Sequence, residues 1–270
     1  MSETYTVGIV GLGAIGLQLA RALDAGVPGL KLTAVAVRDA EKARAAMKDF
    51  KDRPLILDIA KLPRECDIIV ECAPSAIFEE VAHAAIEAGC VFIPSSCGQL
   101  LPRMHLVERA KETGARIIVP TGALLGLDAV RAAAEGDVES VTIQTRKPPI
   151  GLEGAPYLVK HNIQVLGVTE PTLVFKGNAF DAAQGFPANV NVAAALAMAG
   201  VGPERTMVEI WADPGVTRNT HTIKVEAAAA RLTMTIENVP SEANPRTGKI
   251  TGLSILACLR GLVSTLKVGS

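Results

Sequence analysis

Apolar and polar positions along the first half of the chain follow a regular succession. Residues 7–10 form a short β-branched run that ends in glycine, and residues 14–25 place Ile15, Leu19 and Leu23 on one helical face. A second apolar run at 32–37 precedes the alanine-rich, charged segment 40–50, which suits a surface helix. Further strands are expected at 55–59, 67–70, 91–93 and 116–119. Helices are expected at 75–88 and 101–113, closed by Gly89 and Gly114. Short apolar strands alternating with helical segments imply an α/β fold: a Rossmann-type, doubly wound parallel sheet.

The pattern changes after residue 120. Runs at 138–145, 172–175, 206–212, 220–226 and 232–237 read as strands, with one strong helix at 187–199 between them. Strands in succession imply a C-terminal α+β domain with a mixed sheet. A last helical pattern at 253–266 follows the Pro/Gly-rich stretch 240–248. The organisation expected is a dinucleotide-binding domain over 1–120, with a C-terminal helix in 246–270 packing back on it. A substrate, catalytic and dimerisation domain then spans 121–245.

Composition narrows the function classes. A hydrophobic fraction of 49% supports a sizeable core, and 27 Lys+Arg against 28 Asp+Glu give a net charge of −1. With aromatics at 3%, neither a basic surface nor base-stacking platforms for nucleic acid are expected. The longest apolar run, near 192–201, is too short for a bilayer, and six residues before the first strand leave no room for a signal peptide. The expectation is a cytoplasmic protein with no membrane partner. Five cysteines without CxxC spacing, and four histidines distant from them and from one another in sequence, suggest reduced thiols and no metal site.

Gly11-Leu12-Gly13-Ala14-Ile15-Gly16 is GxGxxG between a strand and a helix. The first glycine makes the turn, the second admits a pyrophosphate to the backbone, and the third lets helix and strand pack. The helix N-terminus then presents N–H groups and a positive dipole end to the phosphates. At the end of the next strand, Arg38 and Asp39 stand side by side. An acidic residue there suits a ribose 2′-OH and an arginine a 2′-phosphate, so NAD and NADP both remain candidates. The turns after two later strands, containing Ala73-Pro74 and Ser95-Ser96-Cys97, are expected to wall the nicotinamide.

In the second half, period two puts Asn219, His221, Ile223 and Val225 on one strand face. His221 there is either an ordinary core residue or an acid–base with a pKa near neutrality. Asn189 and Asn191, near a helix start, can cap that helix or meet a polar ligand.

Taken together, GLGAIG, ECAPS, PTGALLGLDA, FPANVNVAAALAMAG, NTHTI and PSEANPRTG resemble the L-aspartate dehydrogenase family over nearly the whole chain. The resemblance implies oxidation of L-aspartate by NAD(P)+ to iminoaspartate, which hydrolyses to oxaloacetate and ammonia, with a possible outlet in NAD biosynthesis. It also implies a homodimer, a catalytic role for His221, and cofactor contacts at Ala123 and Asn191. Asn189, Asn219, Arg146, Lys147, Arg246 and Thr247 are candidates by chemistry for the substrate carboxylates. The alternatives are a cyclic-imine reductase of the dihydrodipicolinate reductase type and a non-catalytic dinucleotide sensor.

Overall fold

A computed structural model describes residues 4–187, 190–242 and 248–269. It divides into two compact units, Met1–Pro120 with Thr251–Val268, and Thr121–Ile250 with Gly269–Ser270.

The first unit runs β1 (Tyr5–Val10), α1 (Ala14–Ala25), β2 (Leu30–Ala36), α2 (Ala40–Ala46), β3 (Leu55–Ile56), β4 (Ile68–Glu71), α3 (Phe78–Glu87), β5 (Val91–Pro94), α4 (His105–Thr113) and β6 (Arg116–Ile117). Its strands are all parallel, in the order β3-β2-β1-β4-β5-β6. Strand order therefore reverses between β1 and β4, the switch point where doubly wound sheets bind ligands beyond their carboxyl ends. Two expected helices begin differently from the sequence reading. Residues 75–77 and 97–103 are 3-10 turns, the second containing Pro102, ahead of α3 and α4. A proline lacks the N–H that α-helical bonding needs.

The second unit runs α5 (Leu127–Ala134), β7 (Val138–Lys147), α6 (Pro156–Lys160), β8 (Thr172–Asn178), α7 (Ala179–Gly185), α8 (Val190–Ala199), β9 (Thr206–Ala212), β10 (Asn219–Ala227) and β11 (Arg231–Asn238). Its five strands are ordered β11-β10-β7-β9-β8, antiparallel except for the β7–β9 pair. The central β7 buries Val141, Ile143, Thr145 and Lys147 on one face. Across the register, Val208, Ile210, Ile223 and Val225 extend that layer. Helices cover it: Gly200, just past α8, faces Val130 of α5 and Val141 of β7. The single expected helix is thus joined by α5, α6 and α7. For α7 the start signal is Asn178, whose side chain accepts the Asp181 N–H at 2.9 Å.

The last helix, α9 (Lys249–Val263), returns to the first unit. Ile255 and Leu259 are fully buried in the core formed by Val7, Ile9, Leu19 and Leu23. Gly29 lies against Val263. No helix among the described residues is long and apolar enough to cross a membrane.

Candidate active site

In the first unit, the three glycines of the β1–α1 turn are glycine for three different reasons. Gly11 has φ +88°, and a Cβ there would sit 2.7 Å from the Cys72 carbonyl oxygen. A Cβ on Gly16 would sit 1.9 Å from the Gly11 carbonyl oxygen, so this position lets α1 lie close on the turn. Gly13 is the N-cap of α1 in an extended conformation, and a Cβ there would meet nothing within 4 Å. Nothing among the described residues fills that space, which is where a dinucleotide pyrophosphate would approach the backbone. No side chain caps α1 and no acidic residue lies in its first turn, so the N–H groups of Ala14, Ile15 and Gly16 and the helix dipole face an outside anion uncompensated. The residues present fit a nicotinamide dinucleotide.

Arg38 and Asp39 are exposed beyond β2. Asp39 also has a structural task, because its Oδ1 accepts the Lys42 N–H at 2.9 Å and caps α2. One carboxylate oxygen is thereby engaged in the fold.

Glu71, the first residue of the ECAPS block, organises both later turns through its carboxylate, a role its sequence did not reveal. It is fully buried at the end of β4. Its carboxylate accepts the Ala73 N–H at 2.8 Å, the Ser96 N–H at 2.9 Å and the Ser96 hydroxyl at 3.2 Å. Burial raises its pKa above the usual carboxylate range and the three donors oppose the rise. The Ala73 N–H is therefore spent inside the protein, while Pro74 is exposed. Cys97 is buried, and burial first, then Glu71, push its thiol up to about 12, which leaves it a poor nucleophile.

In the second unit, His221 lies on the buried face of β10, 4% exposed, directly opposite Thr145 of β7. Its Nδ1 is 3.0 Å from Thr145 Oγ1. Burial, and secondarily the charge of Lys147, lower its pKa to about 4. The expected near-neutral value is corrected: burial strips the ring of water and holds the imidazole uncharged. Lys147, two residues beyond Thr145 on the same face, is 7% exposed, and burial lowers its pKa to about 8.

Arg146 points the other way. Its Nη1 donates to Asp213 Oδ2 at 2.9 Å and its guanidinium lies 5.1 Å from the Trp211 ring centroid, on the face opposite His221. Strand alternation separates it from Lys147, so it drops out as a carboxylate partner for this site. Asn219 is half-buried at the start of β10, opposite Asn238 of β11. Asn238 Nδ2 donates to the Ala123 carbonyl at 3.0 Å and so fixes that loop. Asn191 is exposed in the first turn of α8. Asn189, Arg246 and Thr247 lie outside the described residues.

Sequence distance misjudged two histidines. His83 and His105 come together with Glu79 so that their ligand atoms lie within 4.8 Å of one another, all exposed. Glu79 is already paired with Arg103 at 2.9 Å, so a guanidinium supplies the positive charge there.

A strand-reversal point carrying an open glycine cradle, with a second unit that buries a neutral histidine, defines a nicotinamide-dependent dehydrogenase of two-domain Rossmann type. The comparisons refine that class. Residues 128–262 match the family model "Aspartate dehydrogenase, C-terminal", and residues 11–120 match "Homoserine dehydrogenase, NAD binding domain". The chain is 52% identical over 269 residues to an L-aspartate dehydrogenase of Bradyrhizobium diazoefficiens, covering 100% of this chain and 95% of that one. It is 49% identical to L-aspartate dehydrogenase 3 of Bordetella bronchiseptica, over 99% and 98% of the two chains. The crystal structure of aspartate dehydrogenase from Thermotoga maritima matches with a TM-score of 0.77 and 27% identity, covering 99% and 100%. The chain belongs to the L-aspartate dehydrogenase family.

Proposed function

We propose that the protein oxidises L-aspartate to iminoaspartate with NAD(P)+, with His221 as the proton acceptor. The observation that carries this is the buried, neutral imidazole at the polar end of the β7–β10 layer, in a chain whose full-length relatives are named for this reaction. A bound nicotinamide would supply the hydride acceptor for the substrate Cα–H. The C–H bond breaks with its electron pair, the C=N bond forms, and the amine sheds a proton. Neutral His221 takes that proton at Nε2, with Nδ1–H donating to Thr145 Oγ1, which fixes tautomer and ring orientation. Water then hydrolyses the imine to oxaloacetate and ammonia.

The reading that either cofactor is used is supported by Asp39, which retains one carboxylate oxygen for a ribose hydroxyl, and by Arg38, which stands exposed beside it for a 2′-phosphate. The five cysteines are free thiols, which suits a reducing cytoplasm. The partly exposed sheet face carrying Arg146, Glu209 and Trp211 is offered as the surface of a two-fold homodimer. Light scattering at the monomer mass would reject that assembly.

The test of the reaction is NAD(P)H formation with a panel of L-amino acids, run with NAD and NADP in parallel. Aspartate should be oxidised with either cofactor. His221→Ala should cut turnover by roughly 10²–10⁴ while NADH still binds. Turnover of His221→Ala within a few-fold of wild type would return the histidine to the core.

A further inference from the structure

Lys147 is the one buried cation on the His221 face of the second sheet among the described residues, and its surroundings give it no counter-charge. It is 7% exposed. No carboxylate among the described residues lies within ion-pairing distance of it, and burial alone accounts for its altered basicity. Its neighbours along β7 on the same face are Thr145 and Ile143, and its cross-strand partner on β9 is Ala212. Asp213, whose backbone N–H donates to the Lys147 carbonyl at 2.8 Å, spends Oδ2 on Arg146 and Oδ1 on the Gly215 N–H. Among the described residues this largely buried ammonium has no charged partner, an arrangement that is costly unless an anion arrives to complete it.

The position of that ammonium says which anion. Thr145 stands directly opposite His221, and Lys147 is the next residue along on the same face, about 7 Å further at the strand rise. The charge is close enough to depress the basicity of His221. An amino acid whose amine meets the imidazole has its carboxylates within a few bonds of that amine.

We propose that Lys147 is the substrate-carboxylate site: its ammonium pairs with a carboxylate of the dicarboxylic amino acid whose amine faces His221. This rests on the reaction proposed above and adds the residue that selects an acidic substrate. Substrate binding gives the buried Lys147 charge the counter-charge that the described residues do not supply. A site built this way discriminates against uncharged analogues, because those leave the ammonium buried and alone.

The experiment compares wild type, Lys147→Met and Lys147→Arg, each saturated with NADH, by calorimetric titration with succinate, a dicarboxylate that has no amine to oxidise. Succinate should bind wild type, lose about 30-fold or more in affinity in Lys147→Met, and recover part of it in Lys147→Arg. In turnover, Lys147→Met should raise KM for aspartate far more than it lowers kcat. Without ligand, Lys147→Met should melt no lower than wild type, because an unpaired buried charge has been removed. A lysine with a purely structural role would instead lower the melting temperature. The proposal is overturned if wild type does not bind succinate, or if Lys147→Met binds it within a few-fold of wild type. Wild type that oxidises no amino acid, yet binds succinate through Lys147, would sink the reaction and keep the anion site. Aspartate oxidation with an unchanged KM in Lys147→Met would do the reverse.

Discussion

His221 is held uncharged by its position: the ring is buried, with a hydroxyl at Nδ1 and an ammonium nearby. This has a consequence for stability that is separable from catalysis. The folded pKa is about 4, against 6.5 for the ordinary imidazole. Between those values the unfolded chain binds a proton that the folded chain refuses, so stability rises with pH there and is lost as pH falls from 6.5 towards 4. The size is about 3 kcal/mol at 1.36 kcal/mol per pH unit. Urea unfolding at a series of pH values should show a shallower acid loss in His221→Asn than in wild type. The difference between the two chains isolates the imidazole from carboxylates such as Glu87, which also weaken the fold when protonated. Parallel curves would mean that the ring titrates normally. Lys147 acts with the same sign at higher pH, adding stability as pH rises from about 8 to 10.5. The sequence made His221 visible through its alternating strand. It did not reveal the low pKa, because the burial of the ring and the β7 register that brings Thr145 and Lys147 to its side of the sheet are long-range facts.

The β1–α1 turn assigns separate tasks to its glycines, and the clearest of these belongs to Gly13. Its backbone is at φ −73° and ψ −163°, which any residue adopts, and a Cβ has open space. Gly13→Val should therefore keep the fold and the melting temperature while removing NADH binding in a fluorescence titration, because the new side chain occupies the approach of the pyrophosphate. Gly16→Val is the contrast: its Cβ would meet backbone, so that variant should lose the fold as well. Unchanged NADH affinity in Gly13→Val would show that the phosphates lie elsewhere. The turn and its parallel strands were legible because strands buried on both faces read as apolar runs and the glycine spacing is local. Glu71 was not. Its neighbours in sequence give no hint that a carboxylate on a buried strand end collects the N–H groups of Ala73 and Ser96 from two separate turns. In the same way α7 was missed because it is a seven-residue helix, too short for its periodicity to stand out, started by a single asparagine cap.

At the scale of the whole chain, sequence continuity and packing disagree. The family model for the second half runs through residue 262, but α9 contributes its buried residues to the first unit. The chain enters the second unit after Pro120 and returns at Thr251. The core of the first unit is therefore completed only when the last segment has been made. Ile255 and Leu259, both fully buried, pack with Leu19 and Leu23 of α1, the helix whose N-terminus forms the cradle. A fragment of residues 1–120 exposes that apolar surface and lacks the side chains that fill it, so it should precipitate or fail to unfold cooperatively. Joining 249–268 to it through a flexible linker should restore a cooperative melt and NADH binding. In the intact protein, Leu259→Ala should destabilise the first unit by about 2–5 kcal/mol, as for other fully buried leucines. Circular dichroism melts of the two fragments, with NADH titration of each, decide the matter. A 1–120 fragment that melts cooperatively and binds NADH as the whole chain does would show that α9 merely decorates the sheet. Failure of both fragments would mean that the cradle requires the second unit as well.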